Sequence, residues 1–181
     1  SYDAVVVGGG PGGYVCAIRL GQLKQKTLCI EKAEVGGVCL NWGCIPSKAL
    51  IAAAHTWEKI KTADGMGIVV PGQATLDVAK MQAWKDSIVK KLTGGVRGLI
   101  KGNGSDFLAG TAVLTGPNTL EVTTPEGTKE VIEAKNIVIA TGSTTIEIPT
   151  FKFDGKSIIG AKEAVSLPEI PRRLLVIGGG V

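Results

Sequence analysis

Two short apolar runs near the start of the chain predict buried parallel strands. Residues 4–7 read Ala-Val-Val-Val, a wholly apolar and mostly β-branched run that is typical of a strand covered on both faces. The second run is Thr27–Glu31. Between them lie a glycine-rich turn at residues 8–13 and a helical pattern over residues 11–24, with Pro11 where a first helical turn tolerates it. The chain therefore opens with a β-α-β unit of the α/β class.

The middle of the chain alternates between helical patterns and short strands. Helical spacing of apolar residues predicts helices over residues 45–62 and 75–100, the second interrupted by Gly94 and Gly95, with a loop at 63–74 between them. Runs bounded by turn residues predict strands at 106–109, 112–115, 119–122 and 129–132. We expect these four strands to form an antiparallel β-meander. A further apolar strand at 137–139 leads into Ala140-Thr141-Gly142.

The last residues repeat the opening pattern of an apolar run followed by glycines. Residues 174–181 read LLVIGGGV and match the opening at an offset of 170 residues. We therefore expect residues 1–148 to form one nucleotide-binding domain, 149–172 to connect, and 173–181 to begin a second, incomplete one. A chain that stops inside such a motif is expected to be part of a larger protein.

Composition excludes several classes of protein. Apolar residues make up 44% of the chain and charged residues 20%, which excludes a disordered chain. The 26 glycines show no regular period, so they indicate tight turns or close backbone approach to a ligand rather than collagen. A net charge of +4 and only 4% aromatic residues argue against a nucleic-acid partner. No apolar run approaches about 18 residues, so we expect no membrane span.

The first motif that carries chemistry is Gly8-x-Gly10-x-x-Gly13, placed between the first strand and the first helix. In such a turn the first glycine allows the sharp bend, the second lets the backbone approach a pyrophosphate, and the third permits helix–strand contact. The helix N-terminus favours phosphate groups. Glu31 follows Gly13 by eighteen residues and can accept hydrogen bonds from a ribose. The motif predicts a dinucleotide site without separating NAD from FAD.

The second motif is the pair Cys39 and Cys44, five residues apart. In one continuous helix their Cα atoms would lie about 8.6 Å apart, whereas a disulfide requires roughly 4.4–6.8 Å. A disulfide would therefore place Cys39 in a turn ahead of the helix or distort that helix. Redox chemistry and inert thiols both fit the spacing. Zinc is the weaker alternative because it prefers four ligands, and no second Cys/His pair with suitable spacing follows.

Three other residues of reactive type are interpreted as structural. Cys16 and Cys29 lie within a predicted helix and a predicted strand, where we expect them to be small buried apolar residues. His55 is the only histidine, and we expect it at the surface or in packing.

The segment from residue 36 to residue 48, GGVCLNWGCIPSK, resembles the active-site segment of the FAD-dependent pyridine nucleotide–disulfide oxidoreductases. Its sequence is most similar to that of the dihydrolipoamide dehydrogenases, and the other motifs follow in the order expected for the family. Two positions depart from the usual pattern. Lys24 stands where a helix-ending glycine is common, and Trp42 stands where valine is common.

The resemblance implies a Rossmann-like FAD-binding domain with a parallel sheet and an antiparallel β-meander over residues 1–148. Residues 173–181 would then begin an NAD-binding domain, and metal is not implied. Cys39 is implied to be the thiol that exchanges with the substrate disulfide, Cys44 the thiol nearest the flavin, and Lys48 a lysine beside the flavin. The positions that match the family's cofactor contacts are Gly8, Gly10, Pro11, Gly12, Gly13, Glu31, Lys32, Gly37, Val38, Cys39, Cys44, Lys48, Gly110, Ala112, Ala140, Thr141, Gly142 and Ser143.

The same resemblance implies the activity and its setting. A complete enzyme would oxidise dihydrolipoamide with NAD⁺, as a homodimer, on the lipoyl domain of a 2-oxoacid dehydrogenase or glycine cleavage complex. Its location would be the cytoplasm of a bacterium or the mitochondrial matrix. The 181-residue chain alone is expected to be inactive in that reaction. Alternatives are a glutathione- or mercuric-type flavin reductase and a non-catalytic FAD-binding fragment.

Overall fold

The computed structural model describes residues 1–179. Its elements in chain order are β1 Tyr2–Val7, α1 Pro11–Gln22, β2 Thr27–Glu31, α2 Gly37–Asn41, α3 Cys44–Lys61, a 3₁₀ turn Ala63–Met66, α4 Val78–Gly102, β3 Asp106–Ala109, β4 Thr111–Gly116, β5 Thr119–Thr123, β6 Lys129–Ile139 and α5 Ala161–Ala164. The opening β-α-β unit is confirmed, and β2 has the predicted bounds.

A single six-stranded sheet has the order β3-β2-β1-β6-β5-β4. Strands β3, β2, β1 and β6 run parallel, whereas β5 and β4 continue the sheet in antiparallel pairs. Val5 of β1 pairs with Leu28 on one side and Ile137 on the other. The mixed α/β fold class, a parallel sheet extended by an antiparallel meander, is thus confirmed.

The predicted meander was wrong at its first strand. Asp106–Ala109 pairs parallel with β2, so it is the outer strand of the parallel part of the sheet and the meander begins at Thr111. After Ala109 the chain turns at Gly110, whose N–H donates to Glu31 O at 2.9 Å. A four-residue run carries no sign of its pairing direction, because that direction depends on a distant partner strand.

Two predicted interruptions are absent from the described chain. The runs at 129–132 and 137–139 belong to one strand, β6, which pairs antiparallel with β5 in its first half and parallel with β1 in its second half. The polar residues between the runs mark the change of partner. Likewise, Gly94 and Gly95 do not interrupt α4, which runs continuously from Val78 to Gly102.

The two faces of the parallel strands carry separate apolar clusters. One cluster joins the sheet to helices: Val6, Ala17, Cys29, Val35, Leu40, Val96 and Ile100. The other joins the parallel strands to the meander: Val5, Leu28, Ile30, Leu120, Val122 and Ala134. Val5 and Val6, adjacent in β1, point to opposite clusters and are both fully buried. The interpretation of residues 4–7 as a strand covered on both faces is therefore confirmed.

The chain after β6 is largely exposed. Residues 174–177, where the repeat of the opening pattern predicts a strand, carry no strand, and their side chains are 57% to 85% exposed. A parallel strand requires a hydrogen-bonded neighbour, and none of the described segments pairs with this run. Gly180 and Val181, the end of the predicted second glycine turn, lie outside the described residues. No helix within residues 1–179 combines the length and apolarity needed to cross a membrane.

Candidate functional site

The carboxyl ends of the four parallel strands bring most of the predicted cofactor residues to one edge of the sheet. Gly8 directly follows β1, Glu31 ends β2, Gly110 directly follows β3 and Ala140 directly follows β6. Direct contacts join them: Gly8 N–H donates to Ile30 O, Gly110 N–H to Glu31 O, and Ala140 N–H to Val7 O. Ligands of open α/β sheets bind at this edge. The edge is therefore the candidate site.

The glycine turn is closely packed, and two of its glycines admit no side chain. Gly8 has a positive φ of 110°, and a Cβ there would lie 2.1 Å from Ala140 O. A Cβ at Gly13 would lie 1.7 Å from Gly8 O, because α1 begins directly against the end of β1. At Gly12 the nearest atom would be Ala140 Cβ, at 3.9 Å. Gly10 is the N-cap of α1 and Pro11 its first residue, so the helix N-terminus opens at this turn.

Glu31 holds the glycine turn by its side chain. Its Oε2 accepts the Gly9 N–H at 2.6 Å, and its Oε1 accepts the Ala33 N–H at 2.8 Å. The next residue, Lys32, is exposed. Each carboxylate oxygen has a second lone pair, so the same group can also accept a ribose hydroxyl. Sequence reasoning assigned only the ribose contact to Glu31. The Gly9 contact depends on a close approach across 22 positions that no local pattern reveals.

The short helix α2 closes over the glycine turn from the other side. Gly36 N–H donates to Gly9 O at 2.8 Å. Gly36 and Gly37 both have positive φ, 95° and 57°, and a Cβ at Gly37 would lie 2.7 Å from Gly10 Cα. Sequence analysis missed α2, although the Gly36-Gly37 pair is the local signal of an unusual turn. These two glycines place the segment that carries Cys39 and Cys44 against the glycine turn.

Cys39 and Cys44 belong to two different helices. Cys39 lies in α2 and is half-buried, whereas Cys44 is exposed at the first position of α3. Trp42 and Gly43 separate the helices, and a Cβ at Gly43 would lie 2.9 Å from Val38 O. Because Cys39 lies in a separate short helix ahead of α3, the Cα separation of about 8.6 Å expected for one continuous helix does not apply to this pair. Both thiols are free in this structure.

The electrostatic setting distinguishes Cys39 from the buried thiols. A hydrogen bond with the Cys44 thiol raises the pKa of Cys39, and burial acts in the same direction, against smaller lowerings by a hydrogen bond with the Cys44 backbone and by the Lys48 ammonium. Burial raises the pKa of Cys29 to about 12, as expected for a structural thiol. No group of three or more His, Cys, Asp and Glu side chains within residues 1–179 is arranged to hold a metal ion.

The remaining predicted residues are mostly exposed. Val38 of α2 and Lys48 of α3 are exposed, and Lys48 follows Cys44 by one helical turn. Ala112 is half-buried in β4. Thr141, Gly142 and Ser143 follow β6 and are exposed.

Of the residues interpreted as structural, Cys29 is buried as expected, whereas Cys16 is only half-buried in α1. His55 is exposed on α3. Lys24 has a φ of 60° and takes the left-handed turn in place of a glycine. The ammonium of Lys162 in α5 lies 5.2 Å from the centre of the Trp42 ring.

Comparison with known proteins gives a consistent assignment. Residues 2–181 match the family model described as pyridine nucleotide-disulphide oxidoreductase. The chain is 51% identical over 178 residues to proteins named dihydrolipoyl dehydrogenase from Geobacillus stearothermophilus and Bacillus subtilis, which covers 98% of this chain. It is 47% identical over 180 residues, 99% of this chain, to the mitochondrial dihydrolipoyl dehydrogenase of Dictyostelium discoideum. In each case the chain spans only 37% of the relative.

Solved structures show the same fold. LpdA from Mycobacterium tuberculosis superposes with a TM-score of 0.80 at 21% identity, covering 93% of this chain and 38% of that one. The flavoprotein disulfide reductase RclA from Escherichia coli gives a TM-score of 0.76 at 24% identity, covering 94% of this chain and 35% of that one. At these identities the likeness concerns the fold alone.

Proposed function

Because the chain belongs to the pyridine nucleotide-disulphide oxidoreductase family, we propose that it forms the FAD-binding part of an enzyme that oxidises dihydrolipoamide with NAD⁺. The observation that carries the proposal is the contact of the Cys39 helix with the nucleotide turn through Gly36, Gly37 and Gly10. This contact places a thiol pair beside a dinucleotide cradle. The relatives at 47–51% identity favour the dihydrolipoamide substrate over glutathione or mercuric ion.

The edge of the sheet fits FAD. The helix α1 begins with Gly10 as its N-cap, followed by Pro11, Gly12 and Gly13, so backbone rather than long side chains lies at the helix N-terminus, where a pyrophosphate would bind. Glu31 would accept the adenosine ribose hydroxyls, and Gly110 and Ala112 would lie along the adenine. Thr141, Gly142, Ser143 and Lys48 would border the flavin. Bound there, FAD supplies a two-electron acceptor for the cysteine pair.

The cysteine pair exchanges electrons with the substrate by thiol–disulfide chemistry. In the oxidised pair, a dithiol substrate attacks Cys39 Sγ, so that one new S–S bond forms and the Cys39–Cys44 bond breaks. The second substrate thiol then displaces Cys39 and closes the cyclic disulfide. Two electrons and two protons pass from the substrate to the two cysteines. The raised pKa of Cys39 favours its protonated thiol in the reduced pair.

A non-catalytic FAD-binding module would need neither Cys39, Cys44 nor Lys48. We infer instead that residues 1–148 form the FAD-binding domain, 149–172 connect, and 173–181 begin the NAD-binding domain of a longer enzyme. That enzyme would act as a homodimer on the lipoyl domain of a 2-oxoacid dehydrogenase or glycine cleavage complex. It would work in the bacterial cytoplasm or the mitochondrial matrix.

The test combines FAD titration with thiol variants of the 181-residue chain. We expect the chain to bind FAD with quenching of flavin fluorescence. The Cys39→Ser chain should show a long-wavelength absorption band that requires no added reductant, whereas the Cys44→Ser chain should lack the band. Cys16→Ser is the matched control and should leave FAD binding and the spectra unchanged. An identical band in the Cys44→Ser chain would reverse the roles, and no FAD binding by any folded chain would overturn the cofactor assignment.

A further inference from the structure

The side-chain amide of Asn41 holds the backbone on both sides of Gly36. Its Nδ2 donates to Val35 O at 3.0 Å and to Gly37 O at 2.8 Å, so both amide hydrogens are used. Val35 is a buried residue of the core, and Gly37 is the residue that contacts Gly10. The amide therefore fixes the left-handed turn from which α2 starts.

Helix α2 depends on such support because it has only five residues. Isolated helices shorter than about 12 residues are marginal in water, since their few hydrogen bonds do not offset the cost of ordering the backbone. The backbone bonds at its ends are Leu40 N–H to Gly36 O, at 3.3 Å, and Trp42 N–H to Val38 O, at 3.0 Å. The two bonds from Asn41 are shorter than the first of these; one connects α2 to Val35, which precedes it, and the other joins its last residue to its first, Gly37.

Asn41 also stands between the two cysteines, two residues after Cys39 and three before Cys44. Loss of the amide bonds would release α2 from the turn and move Cys39 away from the first position of α3. We propose that Asn41 is a positioning residue that holds Cys39 against Cys44 by fixing α2 on the glycine turn. This role rests on the proposed function of the cysteine pair, and it can be tested without cofactor.

The experiment uses the 181-residue chain, reduced and without FAD. Asn118 provides a matched control because its Nδ2 also donates to two backbone carbonyls, Ala134 O at 2.8 Å and Lys135 O at 2.9 Å, but in the meander. The variants are Asn41→Ala, Asn41→Ser and Asn118→Ala. Two quantities are measured: the alkylation rate of each cysteine by iodoacetamide against pH, and the equilibrium constant for Cys39–Cys44 disulfide formation in glutathione redox buffer.

In the Asn41→Ala chain we expect Cys39 to be alkylated about tenfold faster at neutral pH, the size expected when two hydrogen bonds to carbonyls are lost. The pKa of Cys39 read from the pH profile should fall toward the ordinary value of a thiol, because the hydrogen bond with Cys44 that raises it would be lost. The glutathione equilibrium constant should fall by a similar factor. In both measurements the Asn41→Ser chain, whose hydroxyl offers one donor, should lie between the parent chain and the Asn41→Ala chain.

An unchanged Cys39 rate and an unchanged equilibrium constant in a folded Asn41→Ala chain would overturn the proposal. The same changes in the Asn118→Ala chain would also overturn it, since they would report general loosening. If Asn41→Ala does not fold, the Asn41→Ser chain decides by the same two measurements. Failure of the parent chain to bind FAD would contradict the proposed function and leave these thiol measurements intact, so the two failures are distinguishable.

Discussion

The glycines of the glycine turn, residues 8–13, are closely packed at Gly8 and Gly13, whereas the glycines of α4 have open space around them. A Cβ at Gly8 or Gly13 would lie 2.1 Å or 1.7 Å from a backbone oxygen. By contrast, a Cβ on any of the α4 glycines would meet nothing within 4 Å: Gly94, Gly95, Gly98 and Gly102. Both groups contribute to the same excess of glycine in the composition. Glycine is therefore required where backbone meets backbone, and is a cost in helix stability where nothing approaches it.

The largest effect is expected from a side chain in the nucleotide turn. Gly13→Ala forces α1 away from β1, because the new Cβ overlaps Gly8 O. We expect the free energy of unfolding to fall by at least about 3 kcal/mol, the upper range for overpacking. Urea denaturation measures the loss, and FAD titration of any folded fraction should show no binding. Gly13→Ala with parent-like stability would show that the contact between α1 and β1 can relax.

A smaller loss in the free energy of unfolding is expected when Glu31, whose side chain holds the glycine turn, is changed. Glu31→Gln replaces one of the two acceptor oxygens with a donor that faces a backbone N–H. Hydrogen bonds to charged groups contribute about 1.5–3 kcal/mol each, so we expect a loss in that range. Chemical denaturation is the measurement. The matched control is Glu34→Gln, an exposed neighbour, and equal stabilities of the two variants would contradict the role of Glu31.

The α4 glycines should respond in the opposite direction. Gly95→Ala adds a methyl group in open space and reduces the conformational freedom of the unfolded chain. We expect the free energy of unfolding to rise by about 0.5–1 kcal/mol. For a chain of this size Tm should rise by roughly 2–4 °C per kcal/mol. A lower Tm in thermal unfolding would mean that α4 is not helical through residue 95.

The last effect is absent at neutral pH and is confined to alkaline pH: it concerns Cys29, whose Sγ lies 4.0 Å from Gly8 O beneath the glycine turn. Its pKa is raised from 9.0 to about 12 by burial, so the folded state holds the neutral thiol while the unfolded state ionises first. The stability contributed by the neutral thiol is therefore complete below pH 9 and is lost as pH rises toward 12.

Cys29→Ala should flatten this decline relative to the parent chain. Urea midpoints measured at several pH values between neutrality and pH 11 provide the test, with Cys16→Ala as the control. A decline of equal steepness in the Cys29→Ala chain would assign the alkaline loss to other groups.

Much of the candidate site could be predicted because its signals are local. Gly8, Gly10 and Gly13 lie within six residues, and Glu31 ends a strand with a clear apolar pattern. What escaped prediction depends on distant contacts. The Gly9–Glu31 bond and the approach of Gly37 to Gly10 join segments that only the folded sheet edge brings together.

The sequence by itself determined the β-α-β opening, the positions of the nucleotide turn and the cysteine pair, and the family resemblance, because each depends on residue identity over a few positions. Only the tertiary structure decided that β3 joins the parallel strands, that β6 exchanges one partner for another, and that Cys39 lies in a helix of its own. Strand pairing depends on hydrogen bonds between residues far apart in the chain, and the start of α2 is held on the glycine turn by the distant bond from Gly36 N–H to Gly9 O. No spacing within a single segment encodes those partners.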